Sequence, residues 1–144
     1  MKRILSSEKT KRGKPAPPVK GLLDNHFVGI TFLLFYESGC DHCMAVLEEL
    51  KEHYKVLHHS GVRVVSVSTD TDERVYAYHS PSFPWEDKIC DYKGFMGENF
   101  INYAIIGTPT ALVIRNGIII GRYANLQETE KAIVKYIQQE AVTR

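Results

Sequence analysis

Residues 32–43 read FLLFYESGCDHC, an apolar run, a short polar break and two cysteines with two residues between them. The run Thr31 to Tyr36 is aromatic and aliphatic throughout, which suits a strand buried on both faces. Glu37, Ser38 and Gly39 end it, with Gly39 as the turn residue. From Asp41 onward Met44, Val46, Leu47, Leu50, Tyr54 and Leu57 recur at helical spacing. Cys40 and Cys43 are therefore placed at a strand-to-helix junction, on the first turn of the helix. No other feature of the chain restricts the available folds as much.

The position has a chemical consequence. Unpaired backbone N–H groups and the helix dipole favour negative charge at a helix N-terminus. A thiolate is stabilised there, and the thiolate is the nucleophile. Cys40 is expected to be the more exposed thiol, and Cys43, one turn on, is within reach of a disulfide with it. Such a pair can attack a disulfide, form a mixed disulfide and resolve it internally. Between them, a protonated His42 would stabilise a Cys40 thiolate and Asp41 would oppose it.

A length of 144 residues fits one domain with a real core, and 18 Lys/Arg against 17 Asp/Glu gives nothing that selects nucleic acid or an anionic membrane. Three cysteines are too few for a disulfide scaffold and leave Cys90 without an obvious partner. No apolar run is long enough to span a membrane. The start, Met-Lys-Arg-Ile-Leu-Ser-Ser, lacks an apolar core segment, so it is not an intact signal peptide. The expected location is the periplasm or cell envelope if a signal sequence was removed, and the cytoplasm otherwise.

Residues 1–14 read as a basic flexible tail and 15–144 as the domain. Residues 19–27 suggest a short edge hairpin. The helix after the cysteines runs to about His58, and Val62 to Val67 is a β-branched second strand. Ser68 to Glu73 reads as a loop and helix N-cap, Arg74 to His79 as a short helix stopped by Pro81. Residues 80–91 are irregular with a short extended piece. Tyr92 to Tyr103 reads as a helix weakened by Gly94 and Gly97. Ala111 to Ile114 and Ile118 to Ile120 flank Asn116-Gly117, a strong hairpin signal. Residues 121–125 read as a loop. Leu126 to about Ala141 is an amphipathic helix with Leu126, Ile133, Val134 and Ile137 on one face.

The order β-α-β-α-(irregular)-α-β-β-α indicates an α/β fold. Its central sheet is mixed, a parallel core plus an antiparallel C-terminal hairpin, flanked by helices. CxxC at the first βα junction of such a pattern is a thioredoxin-like redox signature.

From Gly13 on, the chain resembles thioredoxin-fold proteins of the TlpA-like thiol–disulfide oxidoreductase type, with wording closest to those of Bacteroidetes-type bacteria. The resemblance rests on Gly13-Lys-Pro-Ala-Pro17, on Phe35 to Cys43, and on Gly107-Thr-Pro-Thr110 before an apolar strand and an Asn-Gly hairpin. It implies an enzyme acting on protein disulfides through a Cys40/Cys43 couple, with no cofactor and no metal. It implies protein thiol or disulfide substrates and an electron-transfer partner that recycles the pair. It also implies a cis Thr108–Pro109 bond, with Thr108 and Pro109 contacting an extended substrate and with Tyr36, Asp41 and His42 tuning the pair.

The departures are specific. Gly39, not Trp, precedes Cys40. Leu34 stands six before the first cysteine, where thioredoxin keeps a buried acid, so no acid is assigned to proton transfer and Glu37 is at most a stand-in. Position 37 is also where peroxiredoxins keep a threonine before their single reactive cysteine, which disfavours a peroxidase. Two other classes stay open: a redox-inert peptide-binding module of the same fold, and a zinc-binding regulator. Zinc wants four N/S ligands, and there is no second CxxC. Cys90 reads as a buried small hydrophobe or a third redox thiol. Trp85 reads equally as core or as a substrate platform.

Overall fold

The computed structural model describes residues 11–143, with side chains to residue 139. Strand β1 (Ile30–Tyr36) is followed by α1 (Asp41–His59), β2 (Val62–Ser68), α2 (Glu73–His79), β3 (Asp87–Cys90), α3 (Glu98–Asn102), β4 (Thr110–Arg115), β5 (Ile118–Tyr123) and α4 (Leu126–Thr143). The five strands form one sheet in the order β3-β2-β1-β4-β5. β1, β2 and β3 are parallel, whereas β4 lies antiparallel against β1 and carries β5 on its outer side. The fold class is the one expected from the sequence, an α/β mixed sheet between helices.

β1 is the central strand because every one of its residues can be buried. Ile30, Phe32, Leu34 and Tyr36 face one core, with Cys43, Val46, Leu47 and Leu50 of α1 and Leu126 and Ile133 of α4. Leu33 and Phe35 face the other, with Phe100, Tyr103 and Ile105 and with Val19 and Phe27 of the N-terminal segment. Burying each large aliphatic or aromatic side chain of this kind contributes about 1.5–3 kcal/mol before the entropy of ordering it. Trp85 belongs to the first core at 1% exposure, with its indole N–H donating to Ser66 Oγ at 2.9 Å. It is core, not a platform.

Four stretches differ from the sequence expectation. Residues 19–27 form no hairpin. The Asn25 side chain instead accepts the Val19 amide at 2.7 Å and donates to the Val19 carbonyl, bonds that a paired strand would otherwise make. Tyr92 to Tyr103 is not one helix. Tyr92 and Gly94 both adopt positive φ, so a single 3₁₀ turn, Gly94–Met96, precedes a short α3. β5 continues through Gly121, Arg122 and Tyr123, helped by an irregularity opposite Val113 and Ile114 that restores pairing. Val134 is half-exposed, and Thr129 takes its expected place on the buried face of α4.

Residues 1–10 of the expected tail lie outside the described residues. Its last two, Gly13 and Lys14, exchange hydrogen bonds with Ile119 at 2.7 and 2.9 Å. Together with a bridge from Pro15 to Ile118, they cover the outer edge of β5.

Candidate active site

The chain leaves β1 at Tyr36 and must reverse onto the sheet within four residues. Gly39, at φ +82°, takes the left-handed conformation that the reversal needs. Cys40 follows as the N-cap of α1, extended at φ −79° and ψ 122°, and its carbonyl accepts the Met44 amide at 2.8 Å. Its side chain caps no backbone N–H, so the thiol is left for chemistry. The turn is fastened by the Ser38 hydroxyl, which donates to Asp70 Oδ2 at 2.6 Å, and by the Thr69 amide on the Tyr36 carbonyl.

The helical register then divides the two thiols. Cys40 is partly exposed, while Cys43 faces the core at 0% exposure. Burial pushes the Cys43 thiol up, because the charged form loses solvation. The nearby backbone N–H of Glu37 and hydroxyl of Thr108 oppose this, and the neighbouring Cys40 thiol adds to the rise. The structure thus brings together Cys40, Cys43, Thr108 and the backbone of Glu37.

β4 supplies the far wall. Thr110 pairs with Phe35, one residue before the end of β1, so the loop preceding β4 is delivered beside the cysteine turn. In that loop the Thr108–Pro109 peptide is cis. The Thr110 hydroxyl donates to the Gly107 carbonyl at 2.7 Å and the Thr108 hydroxyl to Glu37 Oε2 at 3.4 Å. Ile106, 83% exposed, stands at the rim.

The other expected site residues are placed less intimately. Asp41 and His42 are exposed on the first turn of α1. Tyr36 is enclosed at 1% exposure and offers no surface to a substrate. Its hydroxyl faces Ser68 but makes no well-formed hydrogen bond among the described residues, and burial pushes it well up. Cys90 lies in register with Ser68 on the far side of β2, its thiol directed at the Asp70 carbonyl at 3.3 Å and also pushed up by burial. Among the described residues no three His, Cys, Asp or Glu side chains converge to hold a metal, and no helix is long and apolar enough to cross a membrane. Sequence reasoning missed the side-chain contact of Thr108 with Glu37. Seventy-one positions separate the two, and nothing local signals the contact.

The buried thiols and phenols predict how stability responds to alkali. A thiol that keeps its proton to higher pH in the folded state adds stability that is fully present below its ordinary value of 9.0 and is lost as pH rises above it. Tyr36 and Tyr103 are shifted the same way, also by burial, and steepen the loss at higher pH. Each such group can contribute a slope of up to about 1.4 kcal/mol per pH unit. The urea midpoint of the reduced protein is expected to fall from about pH 9 upward, and Cys43→Ala to make the fall shallower, with Cys90 supplying the remainder near its onset. A flat midpoint through this range contradicts the burial of these groups.

The family model described as thioredoxin-like matches residues 29–119. The alkyl hydroperoxide reductase C of Salmonella typhimurium is 35% identical over 88 residues, which are 61% of this chain and 37% of that protein. The chain thus spans less than half the length of the curated relative. Among solved structures, the C-terminal domain of a Bacteroides thetaiotaomicron protein described as a thiol-disulfide oxidoreductase superposes with a TM-score of 0.78. It is 22% identical, over 91% of this chain and 99% of that one. The thioredoxin domain of a thiol-disulfide oxidoreductase from Bacteroides vulgatus gives 0.73 at 19% identity, over 88% and 98%. At these identities the solved structures speak for the fold.

Proposed function

The chain belongs to the thioredoxin-like family, and from that premise we propose that it is a thiol–disulfide oxidoreductase acting on protein disulfides through Cys40 and Cys43. One observation carries the reading. A partly exposed thiol at a helix N-terminus stands one turn from a fully buried thiol, against a cis-proline loop. The exposed thiol is the one a bulky substrate can reach. The buried one is reached only from within.

In the reducing direction the Cys40 thiolate attacks one sulfur of the substrate disulfide. A Cys40–substrate bond forms, the substrate S–S bond breaks, and the first substrate thiolate leaves and takes a proton. Cys43 then loses its proton and attacks Cys40 Sγ. The Cys40–Cys43 bond forms, the mixed disulfide breaks, and the second substrate thiol is released. Two electrons have passed to the substrate. A dithiol or equivalent electron donor, the recycling partner, restores the pair. Run backwards, the same steps oxidise a substrate dithiol, so the direction depends on the reduction potential.

The backbone of half-buried Thr108 is assigned to holding an extended substrate segment beside Cys40, with exposed Ile106 extending that surface and the buried Pro109 ring shaping the loop beneath it. Asp41 and His42, exposed beside the sulfur, are assigned to tuning it through their charges. Peroxide reduction is not carried over from the curated relative, because Glu37 occupies the position three before Cys40 where peroxiredoxins keep a threonine.

Reduction of a model protein disulfide such as insulin tests the reading. The dithiol form is expected to reduce it rapidly and Cys40→Ser to match the uncatalysed background. Equal rates for the two would leave a peptide-binding module.

A further inference from the structure

Residues 37–40 carry the nucleophile, yet few contacts hold them. A Cβ on Gly39 would have nothing within 4 Å, so packing does not fix the turn. Among the described residues two side-chain hydrogen bonds tie this stretch to the rest of the fold. One is the Thr108 hydroxyl on Glu37 Oε2 at 3.4 Å, and the other is the Ser38 hydroxyl on Asp70 Oδ2 at 2.6 Å. The second is much the shorter, and a hydroxyl donating to a carboxylate makes a charge-assisted bond. Its acceptor is itself anchored. Asp70 is 8% exposed, its backbone N–H donates to Ser68 Oγ at 2.8 Å, and its carbonyl accepts the Cys90 thiol at 3.3 Å. Ser68 and Cys90 are the last residues of β2 and β3 and stand in register. Asp70 thus ties the catalytic turn to the ends of two strands beside it.

We propose that Ser38 and Asp70 are positioning residues for the Cys40–Cys43 couple, and that their hydrogen bond holds the turn where the disulfide closes. The inference rests on the exchange reading above and adds what sets the equilibrium of the pair. In exchange with oxidised dithiothreitol, the two thiols give up two electrons and two protons. The Cys40–Cys43 bond forms, the S–S bond of the reagent breaks, and reduced dithiothreitol is released. Closing the bond demands a specific geometry of both residues. Cys43 is already fixed by the helix and the core, whereas Cys40 rests on the turn. A turn tethered in the dithiol state has less freedom left to lose, so the tether favours the disulfide. Without the tether that ordering falls on bond closure, and the balance moves toward the dithiol.

The test is the equilibrium constant of each variant with dithiothreitol, read by thiol trapping and mass. Ser38→Ala and Asp70→Ala are each expected to favour the dithiol by about tenfold, the scale of one hydrogen bond to a charged group. That is a reduction potential about 30 mV less negative. The double variant is expected to shift no further than either single one, because both remove the same bond. Ser38→Thr keeps the hydroxyl and Asp70→Asn keeps an acceptor oxygen, so both are expected to stay close to the wild-type potential. Ser38 lies half-buried in the turn, so Ser38→Ala decides the matter even where Asp70→Ala fails to fold.

Melting of the reduced variants, measured alongside, distinguishes positioning from general stability. A Ser38→Ala protein that melts lower but keeps the wild-type potential overturns the positioning role and leaves the exchange reading standing. So does a shift of its equilibrium toward the disulfide. A shift in Asp70→Asn as large as in Asp70→Ala, with Ser38→Ala unmoved, assigns the effect to the charge of the carboxylate and overturns it as well. A wild-type protein that forms no Cys40–Cys43 disulfide at any dithiothreitol ratio overturns both.

Discussion

Cys43→Ser is expected to stop turnover and to accumulate as a covalent adduct with its substrate through Cys40. The reason lies in how the helix divides the thiols. The partly exposed Cys40 keeps its first attack, since the substitution replaces a sulfur at 0% exposure by a smaller oxygen without opening the turn. What disappears is the internal nucleophile. Well-oriented intramolecular reactions have effective molarities of ~10⁵ M and above, so an external thiol at millimolar concentration is a poor substitute. Turnover of a protein disulfide should fall by at least about three orders of magnitude. Intact mass should show protein plus one substrate chain, reversible by a strong reductant. Cys40→Ser, by contrast, should give no adduct. Adduct formation at equal yield in both variants would contradict the division of roles.

Trp85→Ala is expected to cost about 3–5 kcal/mol, the usual range for deleting a large buried aromatic. Trp85 stacks on Phe83 with centroids 4.9 Å apart and planes 19° from parallel, and it packs at a tilt against Tyr54. Removing it opens a cavity between α1 and the sheet and leaves Ser66 Oγ, at 1% residue exposure, without its indole donor. Against a typical total of about 5–15 kcal/mol, that is a large fraction of the folding free energy. The melting temperature should fall by about 10–15 °C at this chain length. Trp85→Phe keeps one ring in the stack but loses the pyrrole half of the indole and its hydrogen bond, so it should cost less, about 1–3 kcal/mol. Urea denaturation of the two variants shows how much of the loss follows the buried ring that Phe retains. A loss below about 1 kcal/mol for Trp85→Ala would mean that this residue is not core.

Trp85 also shows where sequence alone stops being informative. A single tryptophan in an irregular stretch between Pro84 and Glu86 has no periodic neighbours to assign it a side, so core and platform read equally. Only the register of β2, which turns Ser66 toward it, decides the matter. The elements that were legible carry repeating patterns: the unbroken apolar run of β1, the 3.6-residue spacing of α1, and the Asn116-Gly117 turn between β4 and β5. The hairpin expected over 19–27 failed for the opposite reason. Asn25 satisfies the backbone of Val19 with one side chain, and a single such contact leaves no pattern. The helix expected over 92–103 was broken by Tyr92 at φ +62°, a conformation uncommon for a bulky residue and not predictable from its type.

The site divides in the same way. The placement of Cys40 and Cys43 in a strand-to-helix turn, and of Thr108 and Pro109 in a loop before a strand, was legible from local motifs, because both are short-range features. The contact of Glu37 with Thr108 was not legible, because it depends on β4 lying antiparallel against β1 with Thr110 opposite Phe35. The pairing of these strands, and not any motif, brings a carboxylate from one end of the site to a hydroxyl from the other.

The central claim is that Cys40 and Cys43 form one reversible two-electron couple. It is tested by equilibrating the protein across a series of dithiothreitol or glutathione redox buffers, trapping free thiols, and locating the bonds by mass. The account predicts a single Cys40–Cys43 disulfide, with Cys90 remaining a trappable thiol. The reduced fraction should change with a two-electron slope, about 30 mV for each tenfold change in the ratio. Two free thiols at positions 40 and 43 across the whole series, or a disulfide that instead includes Cys90, would contradict it.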